Sequence, residues 1–204
     1  MIVIGTGGHA KVVIAALQRS GAKILGITDK DRRRAGARVL GVPVLGDDRV
    51  LAGYEADAVV LVNGVGCSGS SAPRRRVFED LREKGFHFAV VIHPAATVAA
   101  DSELGEGAQV MAGAVIQPGC RIGANAIVNT GAGIDHDCAI GDHAHIAPGV
   151  VLCGGVNVGE GAQVGAGATV VQNVEIGVGA LVRAGSLVTR TPAGARPDTK
   201  AASG

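Results

Sequence analysis

The sequence predicts a small Rossmann-like α/β domain over residues 1–93 and a parallel β-helix over residues 94–190. Two periodicities indicate the β-helix: an aliphatic residue at every sixth position and a glycine at every eighteenth. Apolar runs that alternate with amphipathic segments ahead of the repeat indicate the α/β domain. The last segment, 191–204, combines Pro, Gly and Ala with scattered charge, and we expect it to be a disordered tail.

The elements of the α/β domain follow from short apolar runs that are separated by turn residues. We expect strands over 2–4, 24–28, 58–62 and 88–92, helices over 10–21 and 74–84, and a short hairpin or loop over 40–44. Alternation of strand and helix is typical of a mostly parallel sheet. His93-Pro94 marks the expected end of this domain.

The six-residue period begins at Val98 and keeps its register to Val188. Its sixteen positions are Val98, Leu104, Val110, Ile116, Ile122, Val128, Ile134, Ile140, Ile146, Leu152, Val158, Val164, Val170, Ile176, Val182 and Val188. The glycines that stand eighteen residues apart are Gly105, Gly123, Gly141, Gly159 and Gly177. A β-helix with three short strands in each eighteen-residue coil has this period, whereas an α-helix or a hairpin does not. We expect the aliphatic side chains inside and these glycines at a corner that needs a positive φ.

Composition and charge exclude several classes of partner. The 204 residues carry a net charge of +1 with 18% charged residues, so no nucleic-acid partner is expected. No apolar run approaches the length of a membrane span, and the first residues do not resemble a signal peptide. The four cysteines lack the spacing of a zinc site and are expected to be reduced core or corner residues. A cytoplasmic protein without a membrane partner is therefore expected.

Residues 5–10, Gly-Thr-Gly-Gly-His-Ala, fit the pattern G-x-G-x-x-A between a strand and a helix. Bare N–H groups at a helix N-terminus can hold phosphate, and the end of the second strand is where a base or ribose would lie. Asp29 and Lys30, at the end of that strand, are the candidates to meet the base or ribose. A single mononucleotide half favours a nucleotide-linked substrate over NAD; a tight turn and solvated charges are the alternatives. The three arginines at 74–76 suit either a phosphate site or a solvated helix face.

Three histidines, His136, His143 and His145, fall within ten residues of a repeat that needs none. A neutral histidine can take a proton from an amine or hydroxyl near pH 7, and a carboxylate can hold its tautomer. His136 stands between Asp135 and Asp137. Because neighbours on an ideal strand point to opposite faces, such a pair needs a corner or a partner chain. His136 is therefore the candidate base, and a structural role is the alternative for the other two histidines.

Together these motifs resemble the hexapeptide-repeat acetyltransferases that carry an N-terminal nucleotide-sugar domain. That group includes the N-acetyltransferases of bacillosamine, perosamine and legionaminic-acid type pathways and the related sialic-acid O-acetyltransferase family. The resembling stretches are 5–13, 91–96, 110–113 and, most distinctively, 129–138 (Asn-Thr-Gly-Ala-Gly-Ile-Asp-His-Asp-Cys). The resemblance implies a left-handed β-helix, a homotrimer with active sites between subunits, and acetyl-CoA as the donor, bound along the groove between neighbours.

The resemblance also assigns roles to individual residues. It implies that His136 is the general base, that Asp137 is its acidic partner and that His145 lies near the acetyl group. It further implies that Gly7, Gly8 and His9 line the sugar-nucleotide site with Asp29 and Lys30. In the loop formed by Cys153, Gly154 and Gly155, it implies that a backbone N–H meets the thioester carbonyl. The family's closing Gly-x-Pro-Ala segment is not matched here, because the chain reads Thr-Pro-Ala-Gly from residue 191. CoA contacts from the tail are therefore not assigned.

The resulting hypothesis is direct transfer of an acetyl group to the 4-amino group of a nucleotide-linked 4-amino-4,6-dideoxy sugar, in glycan biosynthesis. O-acetylation of a sialic-acid-like sugar is the alternative within the class. A metal-dependent lyase of the carbonic-anhydrase kind, with zinc held between subunits by His136, His143 and His145, is a second alternative. A non-catalytic scaffold is a third. The sequence leaves the nucleotide, the sugar, N- against O-transfer and the oligomeric state open, and we assign no metal site.

Overall fold

A computed structural model describes residues 1–67 and 69–191, so the predicted tail lies, apart from Thr191, outside the described residues. The N-terminal elements are β1 (Ile2–Ile4), α1 (Gly8–Arg19), β2 (Gly26–Thr28), β3 (Arg38–Val39), β4 (Val42–Gly46), β5 (Val60–Asn63), α2 (Ala72–Glu83) and β6 (His87–Phe88). They form one sheet in the order β3-β4-β2-β1-β5-β6, which is parallel except for the β3–β4 hairpin. The hairpin expected near 40–44 is confirmed.

Alternating side chains of the central strand β1 build two apolar layers. Val3 packs with the buried face of α1, whereas Ile2 and Ile4 pack with α2 on the opposite side of the sheet. The α1 layer also includes Val91 and Met111, which belong to the β-helix. The two parts of the chain therefore share a core, and the N-terminal domain is held in a fixed place on the coil.

The strand predicted over 88–92 is divided between two sheets. Phe88 ends β6, which pairs with β5 of the N-terminal sheet. Val91–Ile92 forms β7, which pairs in parallel with Gln109–Val110 of the coil. The apolar run is continuous in sequence, but Phe88 packs in the α2 layer and Val91 in the α1 layer, and their backbones bond to different partners. The coil thus begins at Val91.

The β-helix is built from two-residue strands, each followed by a tight turn. They are β8 (Thr97–Val98), β9 (Glu103–Leu104), β10 (Gln109–Val110), β11 (Val115–Ile116), β12 (Arg121–Ile122), β13 (Ile127–Val128), β14 (Gly133–Ile134), β15 (Ala139–Ile140), β16 (His145–Ile146), β17 (Val151–Leu152), β18 (Asn157–Val158), β19 (Gln163–Val164), β20 (Thr169–Val170), β21 (Glu175–Ile176), β22 (Leu181–Val182) and β23 (Leu187–Val188). Every third strand pairs in parallel, which gives three faces. We call the sheet from β7 to β22 the first face, that from β8 to β23 the second and that from β9 to β21 the third.

The sixteen aliphatic residues of the repeat fill the interior as predicted. All are buried except Val98, Leu104 and Val188, which stand at the two ends of the coil and still pack against the same core. Each buried aliphatic side chain contributes about 1.5–3 kcal/mol relative to exposure. Stacked aliphatic residues therefore supply a sufficient core in a chain that has one Tyr and no Trp.

The glycines that stand eighteen residues apart are needed for a different reason from the positive φ that we expected. A Cβ on Gly123 would come within 2.5 Å of the Asp142 nitrogen, and one on Gly141 within 2.6 Å of the Glu160 nitrogen. Neither glycine has a positive φ; that conformation falls at other corner positions, such as Gly131. The spaced glycines are needed because successive coils approach too closely there for any side chain.

The N-terminal domain docks on the first face through the start of α2. Ser71 Oγ donates to the Gly161 carbonyl at 3.1 Å, and Arg75 pairs with Glu160. Arg74 is fully buried beneath this contact, so it belongs neither to a solvated helix face nor to an exposed phosphate site. Among the described residues, no helix has the length and apolar character needed to cross a membrane.

Candidate active site

A cavity of about 900 Å³ lies where the carboxyl ends of the N-terminal strands meet the first face of the coil. The N-terminal domain lines it with residues 5–9, 29–31 and 64–67, and the coil lines it with Asn129, Thr130, His145 and Pro148. All the predicted substrate-binding residues are on this wall, together with His145. His136, Asp137, Gly154 and Gly155 are not.

The glycine-rich turn presents an open helix N-terminus to this cavity. β1 ends in Gly5, whose φ of +94° explains why a glycine is needed there. Gly7 is the N-cap of α1 and has no side-chain cap. A Cβ on Gly7 or Gly8 would meet no atom within 4 Å. Packing therefore does not require these two glycines, and the free N–H groups face space that an anion can fill.

Asp29 orients the glycine-rich turn. Its carboxylate accepts hydrogen bonds from the Thr6 N–H at 3.0 Å, from the Thr6 hydroxyl and from the Asp31 N–H at 2.9 Å. Burial alone would raise the pKa of Asp29, but these hydrogen bonds outweigh it and hold the pKa below its ordinary value. Lys30 beside it is exposed. Arg34 donates to the Thr6 hydroxyl at 2.8 Å and was not foreseen.

His9 is a neutral histidine with a fixed tautomer. Gln109 donates its amide N–H to the Asn63 carbonyl at 2.8 Å, so its amide oxygen faces His9 Nε2 at 2.7 Å. Nε2 must therefore carry the proton, which leaves Nδ1 as an acceptor. Burial, followed by the charge of Arg74, lowers the pKa of His9 to about 4.

His145 has the opposite tautomer. The Asn129 amide oxygen accepts from the Thr130 N–H at 2.8 Å, so the amide nitrogen donates to His145 Nε2 at 3.2 Å. The proton of His145 is consequently on Nδ1. Burial and the charge of Arg74 lower the pKa of His145 to about 4, so the ring is neutral near pH 7.

His136 and Asp137 form a pair at the corner between the second and third faces. The corner resolves the problem that strand neighbours point apart, because Asp137 has a φ of +59°. His136 Nδ1 donates to Asp137 Oδ2 at 2.8 Å, which leaves Nε2 free as a base. The side chains are 62% and 73% exposed. The hydrogen bond to Asp137, with the charge of Asp135, raises the pKa of His136.

Gly154 and Gly155 occupy the same corner one coil further on. A Cβ on Gly154 would come within 2.6 Å of His136 Nε2, so this glycine lies directly against the imidazole. The Gly155 N–H donates to the His136 carbonyl at 2.9 Å. The Gly155 N–H is therefore engaged within the coil, so of the two glycines Gly154 is the candidate for the thioester. The Gly154 N–H makes no hydrogen bond within the described chain.

His143 is structural. It is buried under α2, its Nδ1 lies 2.9 Å from the Asn125 amide nitrogen, and its ring meets Phe78 edge to face at 5.6 Å. Burial, followed by the charge of Arg75, lowers its pKa. The three coil histidines thus lie at a corner, beneath a helix and in the cavity.

Sequence reasoning missed several residues of the cavity wall. Asn129 and Thr130 lay within the resembling stretch but had no role assigned to them, and Gln109 appeared only as an ordinary polar position of the repeat. No sequence signal marked Gln109, because its role depends on how the N-terminal domain docks on the face from which it points. Arg34 stands in a run of arginines whose sequence gives no sign of which one faces the turn.

Comparisons with known proteins agree with this geometry. The model of the PglD N-terminal domain family matches residues 1–81, and that of the bacterial transferase hexapeptide (six repeats) matches 101–136 and 119–154. No curated protein sequence matches the chain.

Solved structures give full-length matches. The chain is 42% identical to perosamine N-acetyltransferase from Caulobacter crescentus, solved with CoA and GDP-perosamine, over 93% of this chain and 88% of that one, with a TM-score of 0.86. It is 36% identical to the acetyltransferase domain of PglB from Neisseria gonorrhoeae, over 95% and 93%, with a TM-score of 0.85. That domain is also solved with acetyl coenzyme A. WeeI from Acinetobacter baumannii, 22% identical with a TM-score of 0.58, shares the fold.

Proposed function

The chain belongs to the family of hexapeptide-repeat sugar N-acetyltransferases with a PglD-type N-terminal domain, and from this premise we propose its substrate and its catalytic residues. It is an acyltransferase, its acetyl donor is acetyl-CoA, and its coil is the left-handed β-helix of that family. The acceptor that we propose is the 4-amino group of a nucleotide-linked 4-amino-4,6-dideoxy sugar. The unhindered α1 N-terminus, which opens on a cavity that the coil completes, supports the nucleotide-linked part of this assignment. The 42% identity to the enzyme solved with CoA and GDP-perosamine supports the sugar part.

The catalytic step needs a base, and His136 is the base that we propose. Its Nε2 would take a proton from the sugar amine as the nitrogen attacks the thioester carbonyl. Asp137 would hold the Nδ1 proton and stabilise the imidazolium that forms. The Gly154 N–H and His145 would contact the thioester and acetyl group, and CoA would leave as the thiolate. No cysteine is needed as a nucleophile.

The position of His136 supports a site between subunits. His136 is exposed and does not line the cavity of its own chain. The second face, which ends at the His136 corner, leaves Val115, Val151 and Leu187 exposed. An apolar strip of this kind favours burial against another subunit. We propose a homotrimer in which the His136 corner of one subunit completes the cavity of the next.

The alternatives lack support from the site. Family membership excludes the scaffold and lyase hypotheses, and a free sialic acid would leave the phosphate-binding turn without a ligand. All four cysteines are free thiols, which fits the cytoplasmic location that we propose, where acetyl-CoA and nucleotide sugars are made.

A thiol-release assay tests the reaction. Acetyl-CoA would be offered with UDP- and GDP-linked 4-amino-4,6-dideoxy sugars and with free and CMP-linked sialic acid. We expect release with one amino sugar and its loss in His136→Ala, with His93→Ala as the matched control because His93 Nδ1 only accepts from the Ala95 N–H in a local turn. Release with sialic acids alone would refute N-transfer.

Co-expression of two inactive variants tests the site between subunits. One subunit would carry His136→Ala, and the other Gly8→Asp, which places a carboxylate at the proposed phosphate site. Mixed trimers should regain part of the activity, because some sites then combine an intact His136 with an intact cavity. Activity as low as that of the separate variants, in trimers shown to be mixed, would place both halves of the site in one chain.

A further inference from the structure

Arg74 is a buried cation without a counterion. It stands in the first turn of α2 and is 0% exposed. Its guanidinium donates from NH1 to the carbonyls of Asn63 and Val65, both at 2.8 Å, and from Nε to the Asn125 carbonyl at 3.1 Å. All three acceptors are neutral. Among the described residues, no carboxylate lies within ion-pair distance of it.

Such an arrangement is unfavourable by itself. A charge removed from water needs an opposite charge or a full set of hydrogen bonds. The NH2 group of Arg74 has no partner in the described chain, and the positive end of the α2 dipole adds to the repulsion. Burial lowers the pKa of Arg74 to about 10, so the group is still protonated at neutral pH. The buried guanidinium therefore carries a positive charge that no described carboxylate of the chain balances.

The hydrogen bonds of Arg74 lead directly to the cavity. The loop that it fixes, residues 63–67, supplies four wall residues from Gly64 to Cys67. The Asn63 carbonyl, held by Arg74, also accepts from Gln109, and Gln109 accepts from His9 in the first turn of α1. Asn63 in addition donates to the Asn125 side chain at 3.1 Å. Arg74 thus joins the loop, the coil and the phosphate-binding turn.

We propose that Arg74 is a positioning residue for the nucleotide sugar, which fixes the wall from Gly64 to Cys67 against the coil and supplies the buried positive charge that the substrate's diphosphate balances. The inference rests on the proposed function, since a nucleotide-linked substrate brings the anion. Two further observations support it. The charge of Arg74 contributes to the lowered pKa of His9 and of His145. These two residues line the cavity from the N-terminal domain and from the coil, respectively. The N–H groups at Gly7 and Gly8 lie beside His9, where the diphosphate would sit.

Binding measurements on the full-length protein separate charge from packing. Arg74→Met keeps most of the side-chain volume and removes the charge. Arg76→Met is the matched control, because Arg76 lies on the same helix, is 84% exposed and pairs only with Asp80. Calorimetry would measure the affinities for GDP and UDP, and for guanosine and uridine as uncharged probes. Acetyl-CoA binding would be measured in parallel.

We expect Arg74→Met to lower the affinity for the diphosphate that the wild type binds by about tenfold or more. The affinities for the nucleoside and for acetyl-CoA should change by about twofold at most. Arg76→Met should behave as wild type. Equal losses for nucleoside and diphosphate would show a merely structural residue and overturn the inference, as would unchanged diphosphate binding. If the wild type binds neither diphosphate and releases no thiol with the nucleotide-linked amino sugars, the proposed function falls and the inference with it. Unchanged diphosphate binding in Arg74→Met removes the inference alone.

Arg74→Lys decides the question if Arg74→Met does not fold. The lysine keeps the charge but cannot reach all three carbonyls, so the preference for diphosphate over nucleoside should survive while kcat falls by about tenfold. A wild-type kcat in a folded Arg74→Lys protein would overturn the positioning role.

Discussion

His136 donates its Nδ1 proton to Asp137 across 2.8 Å, although the two residues are consecutive in the chain. The contact is possible because Asp137 has a left-handed conformation, with a φ of +59°. The equivalent positions one coil before and one coil after are Gly119 and Gly155, which adopt this conformation without strain. For an aspartate, this left-handed backbone conformation costs about 1 kcal/mol. The strain suits a residue selected for what its carboxylate does.

Asp137→Gly should therefore separate stability from activity. The glycine relieves the left-handed strain, so we expect the free energy of unfolding to stay constant or rise by about 0.5–1 kcal/mol. Loss of the carboxylate leaves His136 without its tautomer partner, and kcat should fall by about tenfold or more. Urea unfolding and steady-state kinetics measure the two effects. A variant that is less stable and fully active would contradict both halves of the argument.

The dependence of kcat/KM on pH should report the pKa of His136, which its hydrogen bond to Asp137 helps to set. His136 must be neutral to act as a base, so kcat/KM should fall as the pH drops through its pKa. The hydrogen bond to Asp137 and the charge of Asp135 raise that pKa above the ordinary 6.5. In Asp137→Asn the raising contribution of Asp137 is lost, and the acidic limb should move to lower pH. An acidic limb at the same pH in both proteins would mean that another group controls it.

Folding stability should decline in mild acid because of His9 and His145. Both have a folded-state pKa of about 4, whereas the unfolded chain has the ordinary 6.5. Between these values the unfolded state binds more protons, so stability is full above about pH 6.5 and falls as the pH drops towards 4. The loss should be on the order of a few kcal/mol.

Urea unfolding at about pH 7, which is above this window, and at about pH 5.5 and 4.5 within it measures that decline. His145→Gln removes one of these groups and should flatten the curve. A stability that stays constant over this range in the wild type would mean that neither ring is held neutral by the fold.

The sequence predicts those parts of the fold that are determined by residues within one turn of the coil and its immediate neighbours. The six-residue repeat identified the core because each aliphatic position is dictated by its own turn and by the coils beside it. His136 stood out because a β-helix needs no histidine. Arg74 could not be interpreted, since its burial depends on how α2 docks on a face formed about fifty residues later, at Asn125. Gly123 was identified as necessary, yet sequence alone does not distinguish a demand for positive φ from a demand for space.

Two glycine substitutions should show opposite behaviour for that reason. In Gly8→Ala the new Cβ meets no protein atom within 4 Å, and alanine favours the helix that Gly8 begins, so stability should be kept or gain about 0.5–1 kcal/mol. The Cβ enters the space that we assign to the diphosphate, so KM for the nucleotide sugar should rise about tenfold or more.

In Gly123→Ala the Cβ would come within 2.5 Å of the Asp142 nitrogen, and the free energy of unfolding should fall by about 1–3 kcal/mol. Substrate affinity of the folded Gly123→Ala fraction should be close to that of wild type, because Gly123 is on the third-face side of the coil and does not line the cavity. Thermal unfolding and KM measured on both variants decide the matter: a Gly8→Ala enzyme with an unchanged KM would show that the turn has room for a methyl group and that the diphosphate lies elsewhere.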